Sequence, residues 1–119
     1  MTEKKVRPYK LTIDRSKWDR KGNGKLLDDY GNMCALGWLG ARMKIPSSAL
    51  LGRDRPSRLD RKYLKRWAHF GMVECDNGNP KSSLLANSIM TVNDRGSINQ
   101  EQDLKELFKE ANIDVEFVG

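Results

Sequence analysis

Residues 31–46 read Gly31-Asn32-Met33-Cys34-Ala35-Leu36-Gly37-Trp38-Leu39-Gly40-Ala41-Arg42-Met43-Lys44-Ile45-Pro46, and they set the centre of the fold. A tight turn at Gly31-Asn32 leads into a short helix, and Pro46 stops it. Only Arg42 and Lys44 carry charge before the stop. A helix that is apolar nearly all round lies inside a small fold, not on its surface. Gly37, Gly40 and Ala41 have almost no side chain, so neighbouring elements can approach the helix backbone closely. Cys34 falls in its first turn.

Upstream of this segment, residues 1–9 form a basic arm. Lys10 to Ile13 alternates polar and apolar, the period of a strand. Arg15 to Lys21 is basic around Trp18. Gly22-Asn23-Gly24 signals a turn, and Leu26-Leu27 then predicts a second short strand. The expectation is an N-terminal hairpin that delivers the chain to the central helix.

Downstream, Ser47 or Ser48 caps a short turn through Ala49-Leu50-Leu51. Ser57 is placed to cap a helix running to about Phe70. On it Leu59, Tyr63 and Trp67 share one face, and Arg58, Arg61, Lys62, Lys65 and Arg66 share the other. Gly71 ends it. Met72 to Cys75 reads as a strand and Asp76 to Pro80 as a turn. Ser82 or Ser83 caps a helix over Leu84 to Val92, although Ile89 to Val92 alone has strand character. Asn93 to Gly96 breaks that helix. Ser97 and Gln100 form a capping box for the next one. Its buried stripe is Leu104, Leu107, Phe108 and Ala111, and Asn112 ends it. Ile113, Val115 and Phe117 alternate with Asp114 and Glu116 in a final half-buried strand.

The architecture that follows is α+β. A small antiparallel or mixed sheet, made of the N-terminal hairpin and the C-terminal strand, packs on three or four helices. The 119 residues suit one domain, spanning 10–119 beyond the arm. With 38% apolar and 32% charged residues, the core is small under a large wet surface. The longest apolar run, Met33 to Ala41, is too short to cross a bilayer, so no membrane is expected. The charged start, Met-Thr-Glu-Lys-Lys, lacks the apolar stretch of a signal peptide and points to the cytoplasm. Cys34 and Cys75 fit that compartment as free thiols. Two Cys and one His do not space as a zinc site, and no metal or cofactor is expected.

Four blocks of residues resemble a group of small uncharacterised proteins of phages and prophages. They are Arg15-Ser16-Lys17-Trp18, Gly31-Asn32-Met33-Cys34-Ala35-Leu36-Gly37, Asn93-Asp94 after an apolar helix, and Leu107-Phe108 followed by Ile113-Asp114-Val115-Glu116-Phe117-Val118. A looser likeness is to small bacterial domains of unknown function that share a Cys-Ala-Leu-Gly segment, a later Asn-Asp and a final helix. Ala35 departs from the phage pattern, where a second Cys is common. The resemblance carries no catalytic residue. It implies a context: an accessory gene of the kind directed against host or defence machinery, acting in the host cytoplasm.

The formal charge of +6 is unevenly distributed. Residues 53–66 hold Arg53, Arg55, Arg58, Arg61, Lys62, Lys65 and Arg66 against Asp54 and Asp60, a net of +5. Residues 99–119 hold six carboxylates against Lys105 and Lys109, a net of −4. Such a basic stretch fits a phosphate backbone, with Lys4, Lys5, Arg7 and Lys10 adding reach, or an acidic protein surface, or plain solvation. Tyr63 and Trp67 either stack on bases or belong to the core. Arg15, Lys17 and Trp18 either anchor an interface or pack beneath the hairpin.

Cys34 in a first helical turn, with His69 as base and Asp94 or Asn93 to orient it, has the residue types of a cysteine hydrolase. The opposing reading is that Cys34 is a small apolar core residue. Asn93-Asp94 either joins Asp76 or Asp28-Asp29 in a polar, cation-collecting site, or simply stops a helix. Gly22-Asn23-Gly24-Lys25 lacks the remaining positions of a phosphate-binding loop. The leading expectation is a non-enzymatic binding protein whose basic surface contacts a host or defence protein, including one that handles nucleic acid. The alternatives are direct binding of nucleic acid or an anionic nucleotide, and the Cys34/His69 hydrolase. The sequence sets no oligomeric state.

Overall fold

The computed structural model describes residues 8–20, 25–96 and 98–119. Residues 1–7 of the basic arm, the Gly22-Asn23-Gly24 turn and the Ser97 cap lie outside them. The class is α+β. In chain order the elements are β1 (Tyr9–Asp14), α1 (Ala35–Arg42), α2 (Ser47–Leu50), a 3-10 turn (Pro56–Arg58), α3 (Arg61–His69), β2 (Val73–Asp76), β3 (Asn79–Ser82), α4 (Leu84–Arg95), α5 (Gln100–Lys109) and β4 (Ile113–Val118).

The strand pairing differs from the expected hairpin. β1 pairs in parallel with β4, Leu11 opposite Val115 and Ile13 opposite Phe117. Leu26-Leu27 forms no strand with β1; Leu27 makes single bridges to Met33 and Leu51. The alternation in both paired strands turns Leu11, Ile13, Ile113, Val115 and Phe117 into the core, while Lys10, Thr12, Asp114 and Glu116 face water. Tyr9, expected in the basic arm, belongs to β1.

α1 holds the centre. Ala35, Leu36, Gly37, Leu39 and Gly40 are buried, against α4 on one side and β1 on another. The helix stops before Pro46. Lys44 takes a left-handed φ of 65°, and the Lys44 and Ile45 amides donate back to the carbonyls of Ala41 and Gly40. This is a Schellman ending with Lys where glycine is usual.

The expected helix from Ser57 to Phe70 is split. Pro56–Arg58 forms a 3-10 turn, Leu59 is extended, and α3 starts only after Asp60. β2 and β3 form a hairpin through Asn77 (φ 51°) and Gly78 (φ 82°), the left-handed pair that an Asn-Gly turn supplies. Its second strand carries Pro80 and was not legible as a strand. Ser83 caps α4 by accepting from the Ala86 amide at 3.0 Å. α4 is a helix throughout and passes through Asn93-Asp94 to end at Gly96, whose φ is 60°.

Candidate functional site

The seven basic residues at 53, 55, 58, 61, 62, 65 and 66 are all exposed. They run from the loop after α2, through the 3-10 turn, along α3. Asp54 takes part of this charge, lying 3.3 Å from Arg55 and 3.9 Å from Arg58. Arg66 also supports the fold, because its guanidinium donates to the Met43 and Lys44 carbonyls at 3.4 and 3.3 Å. It therefore satisfies the carbonyl end of α1.

The aromatics on α3 offer no stacking platform. Trp67 is wholly buried and packs where a side chain on Gly40 would sit. Tyr63 is half-buried, with Lys62 Nζ 5.2 Å and the Arg66 guanidinium 5.6 Å from its ring centre. The two cations occupy the ring that a base would need.

A groove of about 890 Å³ opens where α1 and α3 end and where β1 and β4 begin. Lys10, Arg42, Lys65, Arg66 and His69 line it, with Tyr9 and Phe70 as its aromatic wall and no carboxylate among its described lining residues. The rings of Tyr9 and Phe70 pack 4.7 Å apart. Arg42 lies 4.5 Å over Tyr9 and donates from Nε to the Lys10 carbonyl at 3.0 Å, so its fork is held in place. Lys10 Nζ is paired with Asp114 at 2.6 Å. Of these groups, Tyr9, Arg42 and Phe70 escaped the sequence reading. The one available signal was Arg42, the first charge on an otherwise apolar helix.

The interface-anchor reading of Trp18 is overturned. Trp18 is buried, stacks 4.8 Å from Phe117, and donates from Nε1 to Asn93 Oδ1 at 2.8 Å. Arg15 makes a two-pronged pair with Glu101 at 2.7 and 2.8 Å, tying the end of β1 to α5. Glu101 is held below the usual carboxylate range by that bond. Lys17 is exposed.

Asn93 corrects a second expectation, for it is no helix stop. It sits inside α4, fully buried. Its Oδ1 accepts from Trp18 Nε1 and from the Ala35 amide at 2.9 Å, and its Nδ2 donates to the Asp19 carbonyl at 2.9 Å. Gln100, also buried, donates from Nε2 to the Asn93 and Arg20 carbonyls, and it is the first residue of α5, with Asn99 at the N-cap position.

Cys34 occupies the N-cap of α1 and is buried. Burial pushes its thiol up to about 11, outweighing the Gly37 and Leu36 amides that favour the thiolate; Asp94 and Asp19 raise it further. Asp94 is therefore brought near Cys34, but His69 is not. His69 lines the groove at the far end of α1, about 12 Å away along an eight-residue helix axis. Among the described residues no three His, Cys, Asp or Glu side chains group as a metal site. No described helix is long and apolar enough to cross a membrane. The chain matches no protein-family model, no curated protein and no solved structure.

Proposed function

We propose that this protein acts by binding, as a phage accessory protein of the host cytoplasm that modulates an acidic host or defence protein through its basic face. The observation that supports this is the exposed run Arg58, Arg61, Lys62 and Lys65 beside buried or occupied aromatics. A field of one sign along a helix whose own aromatics, Tyr63 and Trp67, are covered or buried suits a carboxylate-rich protein surface better than the stacked bases of single-stranded nucleic acid. The phage context comes from the resemblance of the four sequence blocks.

The test is a tagged capture from infected cells, with and without nuclease, using wild type and an Arg58→Glu/Arg61→Glu/Lys62→Glu variant. Arg66 is left alone because it supports α1. A protein partner that survives nuclease and is lost in the triple variant, with its unfolding midpoint retained, is the expected result. A partner retained by the triple variant overturns the reading. A catch that disappears with nuclease replaces the acidic protein with nucleic acid.

A further inference from the structure

We infer that the groove between the ends of α1 and α3 binds a small phosphate monoester carrying a flat organic group, of the mononucleotide class. Charge is the first argument. Arg42, Lys65 and Arg66 bring three positive charges to the groove, while Lys10 is neutralised by Asp114. The cations also face two helix carboxyl ends, at Arg42-Met43 and His69-Phe70. Each helix end contributes about half a negative charge, so the ends absorb roughly one of the three. About two positive charges remain without a carboxylate in the described lining. A phosphate monoester carries about −1.5 to −2 at neutral pH, which matches that excess.

Shape is the second argument. About 890 Å³ is far more than a phosphate ion fills and lies within the span of roughly 300–1,000 Å³ typical of organic-ligand pockets. One wall is apolar and is made mainly by Phe70, packed against a Tyr9 ring that Arg42 already covers. The guanidinium of Arg42 is fixed by Tyr9 and the Lys10 carbonyl before any ligand arrives, so little side-chain freedom is lost on binding. Lys65 is exposed and supplies a further cation to the groove lining.

Isothermal titration of the purified protein with AMP, GMP, CMP and UMP tests this, with inorganic phosphate and adenosine as probes of the two halves. At least one mononucleotide binds, and phosphate or adenosine alone binds at least about tenfold more weakly, because each loses one of the two walls. Lys65→Ala weakens the mononucleotide about tenfold, the worth of one charge-assisted contact. Lys17→Ala removes the same charge outside the groove and leaves affinity unchanged. No heat with any of the four at millimolar concentration overturns the inference. So does phosphate binding as tightly as the mononucleotide, or equal loss in the Lys65 and Lys17 variants. The titration contains no protein partner, so its failure leaves the acidic-partner reading standing.

Discussion

At the scale of single residues, Asn93 does what its sequence position hides. The first amides of a helix lack partners within it, and Cys34 supplies no side-chain cap to α1. Asn93 reaches across from α4 and caps the Ala35 amide, while the same oxygen satisfies the buried Trp18 indole. Asn93→Ala leaves both donors buried without an acceptor. At about 1–3 kcal/mol for each, the expected loss is about 2–6 kcal/mol in urea unfolding followed by tryptophan fluorescence. A loss under about 1 kcal/mol would show that water replaces the carboxamide. Cys34 makes a second prediction. Its thiol has a pKa of about 11 when folded, against the ordinary 9.0. The unfolded chain ionises first, so the contribution of the neutral buried thiol is full below pH 9 and is lost as pH rises to 11. Two pKa units correspond to about 2–3 kcal/mol. The stability difference between wild type and Cys34→Ala should shrink by that amount across the window, which also cancels the titration of other groups.

At the scale of elements, close approach decides how α1 is held. A side chain on Gly37 would meet the Leu26 carbonyl oxygen at 1.9 Å, a backbone atom that cannot step aside. One on Gly40 would meet the Leu50 methyl at 2.9 Å and the Trp67 ring at 3.0 Å, a milder overlap and with side-chain atoms instead of backbone. Overpacking typically costs about 1–3 kcal/mol. Gly37→Ala is therefore expected at or above the top of that range and Gly40→Ala near the bottom, as read from chemical unfolding. The reverse order would mean that the 25–27 segment is free to move away from α1. The elements also show where local signals fail. The Ser57 helix start is displaced to Arg61 because Leu59 is extended and buried, and burial of that side chain outweighs helical continuity. The Asn93-Asp94 pair, polar enough to suggest a break, stays helical because Asn93 finds three partners inside the protein.

At the scale of the molecule, the two ends of the chain close the fold. β1 and β4 pair across about a hundred residues, as Lys10 opposite Asp114 marks. The acidic C-terminal segment pairs with cations from the N-terminal part: Glu101 with Arg15 and Arg20, Asp114 with Lys10. Two of its six carboxylates are thus engaged by residues outside α3, and the basic residues of α3 stay exposed.

The amino-acid sequence by itself determined the period of the strongly patterned elements, because side-chain alternation and helical spacing are local. It marked the buried α1, the apolar stripe of α5, the inward faces of β1 and β4, and the exposed cations of residues 53–66. The tertiary structure decided the rest. Periodicity says that a strand has a buried face but not which strand lies beside it, so β1 took β4 instead of the nearby Leu26-Leu27. The groove is likewise a product of the fold. Tyr9 belongs to β1, Arg42 to α1, and Lys65 and Phe70 to α3 and its cap, and only the packing of two helix ends against two strand starts sets them around one space.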